Sequence, residues 1–124
     1  MAYRFERLKV WGDARQFVTF VYQLTANFPG RERFALTDQL CRAAISIVLN
    51  IAEGSEKKSD VDFVRFLRIA TGSLNEVVAG LYIALDLAYI SKETFDDLYQ
   101  KANILSSRLN ALIRTIKLSG SSKR

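Results

Sequence analysis

Phe63-Val64-Arg65-Phe66-Leu67-Arg68-Ile69-Ala70-Thr71-Gly72-Ser73-Leu74 opens the stripe that decides the fold. Its apolar positions Phe63, Leu67, Ala70 and Leu74 continue through Val77, Leu81, Ala84 and Ala88, in steps that alternate between four and three. A strand would alternate apolar and polar residues at every second position. A 3-4 alternation instead lines one face of an α-helix. Held over a whole helix, it predicts near-parallel helix axes with knobs-into-holes contacts. Ser59 ahead of the stripe reads as an N-cap, with Asp62 at the capping-box position.

Working outward, three more stripes appear. Val10, Ala14, Phe17, Val21, Leu24 and Phe28 predict a helix over residues 10–26. Residues 37–53 predict a second, with Gly54 as its left-handed C-terminal stop. After Ser91, a further N-cap, comes Phe95, Leu98, Ala102, Leu105, Leu109, Leu112 and Ile116. The expected architecture is all-α, an antiparallel up-down four-helix bundle over residues 1–118, followed by a disordered basic tail at 119–124. Short connections make successive helices neighbours. The last two helices are expected to outreach the first two by roughly 15 Å at about 1.5 Å per residue. The segment 28–34 is placed to cover that surplus.

Composition removes whole classes of chemistry. The chain of 124 residues has no histidine and one cysteine, Cys41. Disulfide frameworks, zinc clusters, di-iron Glu-x-x-His sites and Ser-His or Cys-His pairs are therefore excluded. No metal, cofactor or catalytic residue is expected. Glu53 and Glu76 are the only nominal carboxylate pair, and no pocket motif accompanies them. The N-terminus lacks an apolar leader, and the most apolar run, residues 43–52, is too short to span a bilayer. The expected location is the cytoplasm, with no membrane contact.

Two features concern partners. From residue 40 to 52 the second helix has only Arg42, Ser46 and Asn50 as polar residues, and from 77 to 85 the third has only the Tyr82 hydroxyl. Helices that apolar call for cover on more than one side, which predicts self-association, the alternative being an asymmetric bundle with the second or third helix central. The second feature is charge. Net charge is +5 with an isoelectric point near 9.6. In an up-down bundle Arg4, Arg7, Lys9, Lys57, Lys58, Arg114 and Lys117 share one end, making it a candidate nucleic-acid surface. Acidic residues dominate the other end. Gln39, Arg42, Ser46, Asn50 and Glu53 form a polar stripe along the second helix, with Arg65, Arg68 and Glu76 on the third. They are expected to form a buried network that sets register within or between subunits. Gly72 and Gly80, inside the third helix, are expected to let another helix approach closely.

Several blocks resemble a known family: Phe5-Glu6-Arg7-Leu8-Lys9-Val10-Trp11; Gln39-Leu40-Cys41-Arg42-Ala43-Ala44-Ile45-Ser46-Ile47; Asn50-Ile51-Ala52-Glu53-Gly54; Arg65-Phe66-Leu67-Arg68-Ile69-Ala70; Gly72-Ser73-Leu74-Asn75-Glu76; and Leu87-Ala88-Tyr89-Ile90. Together they are similar to the bacterial four-helix-bundle family called 23S rRNA intervening-sequence proteins. The resemblance implies a homopentameric ring. It is shared with accessory proteins of diversity-generating retroelements, which contact a reverse transcriptase and nucleic acid. The chain departs from the pattern at Val48, where proline is usual, and at Ala88, where glycine is usual. The first departure should straighten the second helix, and the second should alter how the third ends. The function expected is a non-enzymatic oligomer that binds RNA, DNA or a nucleic-acid-processing protein through the basic end. The alternative is a protein-interaction scaffold without nucleic acid.

Overall fold

The computed structural model describes residues 2–122. It contains four long helices, α1 (Lys9–Thr25), α2 (Leu36–Ser55), α3 (Asp60–Asp86) and α4 (Lys92–Ser122), and no strand among the described residues. Two short 3-10 turns, Arg4–Arg7 and Gly30–Glu32, precede α1 and α2. Contacts run α1 to α2, α2 to α3, α3 to α4 and α4 back to α1. The α2–α3 contact is the most extensive of the four and the α1–α4 contact the sparsest.

The stripes form the core. Every expected core position of α1, from Val10 to Phe28, is buried, as are Phe63, Leu67, Ala70, Leu74, Val77, Leu81 and Ala84 of α3. On α4 the stripe holds as far as Leu109 and then moves. Ile113 is buried with Ile116, while Leu112 is only half-buried. A helix turns every 3.6 residues and not every 3.5, so a long 3-4 pattern drifts until an extra step of four restores it. The expected core position Leu112 is corrected to Ile113 for that reason.

The caps follow the sequence in part. Ser59 Oγ accepts from the Asp62 amide at 3.1 Å, and Ser91 Oγ accepts from the Thr94 amide at 3.1 Å. At the start of α2 a carboxylate does this work, since Glu32 Oε1 accepts from the Leu36 amide at 3.3 Å. The expected stop at Gly54 is not there. Gly54 lies inside α2, is buried, and no glycine among the described residues has positive φ. A Cβ at Gly54 would come within 2.6 Å of Phe66 Cβ and 3.2 Å of Phe63 Cδ1. Glycine is there so that α3 can cross close to α2. Gly80 does the same against Leu40, whose Cδ2 would lie 2.5 Å from an added Cβ. Gly72 does not, because nothing lies within 4 Å of its missing Cβ.

The end of α3 carries the one positive φ among the described non-glycine residues, Ala88 at 60°. The Tyr89 amide donates to Ala84 O at 2.9 Å and the Ala88 amide to Leu85 O at 3.0 Å. This is a Schellman cap, whose left-handed position glycine fills without strain. Tyr89 then anchors segment 28–34. Its ring meets Phe28 at 5.3 Å, its hydroxyl donates to Glu32 Oε2 at 2.7 Å, and Arg31 Nη2 donates to that hydroxyl at 3.4 Å. The Tyr89 hydrogen bond, then the Leu36 amide, holds the Glu32 carboxyl below the usual carboxylate range. The segment covers the end of α3, as its position suggested.

α2 is unbroken at Val48, and α4 continues as helix through Ser122. The tail expected at 119–124 thus begins inside a helix. Lys123 and Arg124 lie outside the described residues. No helix among the described residues is long and apolar enough to cross a membrane.

Candidate nucleic-acid interface

The chain start brings three parts of the chain together. Tyr3 N donates to Glu6 Oε1 at 2.9 Å, which shapes the first turn. Arg4 N then donates to Glu56 Oε1 at 2.8 Å and Arg4 Nη1 to Ser55 O at 3.2 Å, so the start is bound to the α2–α3 connection. Leu8, Lys9 and Val10 share a hollow of about 250 Å³ with Arg108, Ala111 and Leu112 of α4. Phe5 packs on the half-buried Trp11 at 4.8 Å, which anchors α1 at this end. The α2–α3 connection and the last third of α4 therefore meet around residues 3–10.

The seven candidate cations divide into two groups here. Arg4 has its guanidinium over the Phe63 ring at 5.0 Å as well as on Ser55 O. Lys9 pairs with Asp13 at 3.5 Å. Lys57 lies 3.9 Å from Glu53 and 5.2 Å from the Phe66 ring. These three spend part of their charge inside the chain. Lys58, Arg114 and Lys117 are exposed and, among the described residues, have no ion pair. Arg7 is exposed in the first turn and also interacts within the chain. Arg108, which the sequence reading did not single out, joins Asp13 across the α1–α4 seam at 2.8 Å. Its position in α4 becomes visible only when α1 is set beside it.

The seam itself is open. A groove of about 300 Å³ runs between α1 and α4, with Phe17 and Leu105 in its floor and Asp13, Lys101 and Arg108 on its rims. Lys101 Nζ lies over the Phe20 ring at 4.9 Å.

The expected polar network is partly assembled within the single chain, where its members are exposed or half-buried. Gln39 Nε2 donates to Glu76 Oε2 across α2 and α3. Ser46 and Ser73 hydroxyls meet at 2.8 Å, and Asn50 Nδ2 donates to Ser46 O at 2.8 Å and to Ser46 Oγ at 3.0 Å. These bonds fix the register of α2 on α3. Glu76 takes part in them, while Arg42, Glu53, Arg65 and Arg68 stand apart. Arg42, Glu53, Arg65, Arg68 and Glu76 are all exposed on this chain. Glu53 faces Lys57, and Arg65 Nε lies 3.6 Å from Asp62, so these charges meet near neighbours on their own helices. Periodicity placed these side chains on one helix face; it did not say whether that face is covered.

At the other end the tyrosines differ in role. Tyr89 is committed to Glu32 and Arg31. Tyr82 and Tyr99 are exposed around Phe95, with centroids 4.7 Å and 5.7 Å from it. Lys92 and Asp96 pair beside them, and Lys101 holds Asp97 at 2.7 Å. No three His, Cys, Asp or Glu side chains among the described residues converge as metal ligands.

Comparison with known proteins adds three findings. A family model described as 23S rRNA-intervening sequence protein matches residues 6–111. A solved structure from Bacteroides thetaiotaomicron VPI-5482, described as a protein of unknown function from the S23 ribosomal protein family, superposes with a TM-score of 0.75. It shares 24% identity over 84% of this chain and 97% of that one, which supports the fold. No curated protein matches the chain.

Proposed function

Since the chain belongs to the 23S rRNA-intervening sequence protein family, we propose that it is a non-enzymatic, homo-oligomeric scaffold that binds structured RNA through its basic end. The observation that carries this reading is the gathering of exposed cations where the chain start meets the α2–α3 connection and α4. Among the described residues Lys58, Arg114 and Lys117 have no ion pair, and phosphates would supply one. The contacts between successive helices support an up-down order, in which those three share one end of the bundle. Several copies, five by the family resemblance, would multiply a weak contact on one polyanion. The protein works in the cytoplasm, by binding and not by catalysis.

No base-reading motif accompanies the cations, so binding follows charge and shape, with little sequence preference. The test is fluorescence anisotropy with a structured 23S rRNA fragment, a DNA duplex and a single strand, from low to physiological salt. Affinity should fall steeply with salt, because each phosphate contact releases counterions. Lys58→Glu, Arg114→Glu and Lys117→Glu together should abolish binding, while Arg31→Glu, Arg33→Glu and Lys92→Glu at the other end should leave it. Equal weakening by both sets, or no binding even at low salt, refutes the reading. A second reading then takes its place. It has a protein partner docking on the exposed rings of Tyr82 and Tyr99, which sit among Asp86, Asp96 and Asp97.

A further inference from the structure

Aromatic rings follow one another at the chain start. Tyr3 lies on Phe5 with centroids 5.7 Å apart and planes at 29°, a stacked pair, and Phe5 lies against Trp11 at 4.8 Å. Arg15 closes the series, its guanidinium 5.5 Å from the Trp11 ring. The inner rings have a structural task, since Phe5 and Trp11 are half-buried and anchor α1. Tyr3 does not share it. It is 60% exposed, and Phe5 covers only one of its faces. No other ring or cation among the described residues lies over it.

The backbone beneath this ring is held in place. Tyr3 N donates to Glu6 Oε1 at 2.9 Å, and Glu6 N donates back to Tyr3 O at 3.2 Å. Arg4 N donates to Glu56 Oε1 at 2.8 Å. Glu6 and Glu56, the acids reached by these bonds, thus each turn an oxygen to a backbone amide. Exposed cations adjoin the series at both ends. Lys58 stands just beyond Glu56 and Arg15 lies at the Trp11 end, and neither has an ion pair among the described residues.

We infer that Tyr3 is a stacking platform for an unpaired base of RNA, with Lys58 and Arg15 placed for the phosphates beside it. The inference rests on the RNA reading above and names the part of the RNA that is taken: a loop or bulge next to a duplex, not the duplex itself. In an A-form duplex each base is already stacked on its neighbours. An unpaired base can leave that stack and lie on an aromatic ring. Every base has such a face, so the contact selects unpaired nucleotides without selecting a sequence. A ring whose backbone is fixed in advance loses little freedom on binding. The cations decide between a base and an apolar side chain of a protein as the occupant, since only the base brings phosphates with it.

Fluorescence anisotropy with the full chain tests it, on two RNA probes with the same number of nucleotides, a hairpin with an unpaired loop and a blunt duplex. The wild type should bind the hairpin at least about fivefold more tightly, the lower end of what one stacked base contributes. Tyr3→Ala should remove that preference. It should leave the duplex affinity and the salt dependence as they were, because no charge changes. Tyr3→Phe and Tyr3→Trp should keep the preference, and in Tyr3→Trp the hairpin should quench the added indole while the duplex does not. Tyr3 is exposed, so each variant should keep the wild-type helical spectrum by circular dichroism. No binding of either RNA at low salt overturns both this inference and the RNA reading. Equal affinity for the two RNAs, or an equal loss on both from Tyr3→Ala, overturns the platform alone and leaves the basic end as a charge surface. A loss in Tyr3→Phe as large as in Tyr3→Ala does the same, since it would assign the contact to the hydroxyl and not to the ring.

Discussion

Ala88 shows what one residue decides. It occupies the left-handed position of the α3 cap, where its Cβ crowds the backbone and glycine would not. Both cap hydrogen bonds form nonetheless. The connection to α4 and the grip of Tyr89 on segment 28–34 over-determine the turn. Replacing Ala88 by glycine removes the strain but gives the unfolded chain more freedom, and the first effect is the larger. Ala88→Gly should therefore stabilise the protein by about 1 kcal/mol. Thermal unfolding would register it as a rise of a few degrees in Tm. An unchanged or lower Tm would mean that the left-handed turn carries no strain.

At the scale of elements, the α2–α3 crossing depends on two glycines that look alike in sequence and differ in surroundings. The Cβ of Gly54→Ala would press on Phe66 Cβ and lie 3.3 Å from the Phe63 carbonyl oxygen, both fixed to the α3 backbone. The Cβ of Gly80→Ala would meet the far end of Leu40, which can rotate away. Overpacking costs typically 1–3 kcal/mol where the neighbour cannot yield. Gly54→Ala should fall in that range, and Gly80→Ala should cost less than half as much, offset by the better helix propensity of alanine. Urea unfolding of the two variants decides this, and equal losses would contradict it. The same crossing explains why α2 does not stop at Gly54. Close packing holds that residue in the helix, and the helix runs one residue further, to Ser55.

Across the whole molecule the contacts are uneven. α2 packs along both α1 and α3, whereas α1 and α4 meet at a groove bridged by Asp13 and Arg108. Local opening follows contact density, so the bundle should part first along the α1–α4 seam. Native-state hydrogen exchange measures this. Mid-helix amides of α2 and α3 should exchange only by global unfolding, and those of α1 and of the last third of α4 by smaller openings. Uniform protection over all four helices would show that the seam is as firm as the α2–α3 contact. The groove lies on this looser side.

Read from the sequence alone, the stripes beginning at Val10, Phe63 and Phe95, with the apolar run over residues 40–52, identify four helices and nearly all of the core, because burial selects side chains at the period of the helix itself. The absence of histidine bounds the chemistry for the same elementary reason, since a missing group cannot act. The shift from Leu112 to Ile113 could not be read there, because it depends on how far α4 drifts before it needs a correcting step. Nor could the role of Gly54, since a left-handed stop and a close crossing call for the same residue. The candidate cations were legible as charges only. Which of them stay available depends on Asp13, Glu53, Glu56 and Ser55, partners supplied by distant parts of the chain. Local periodicity says which way a side chain points, and only the packed helices decide what it meets there.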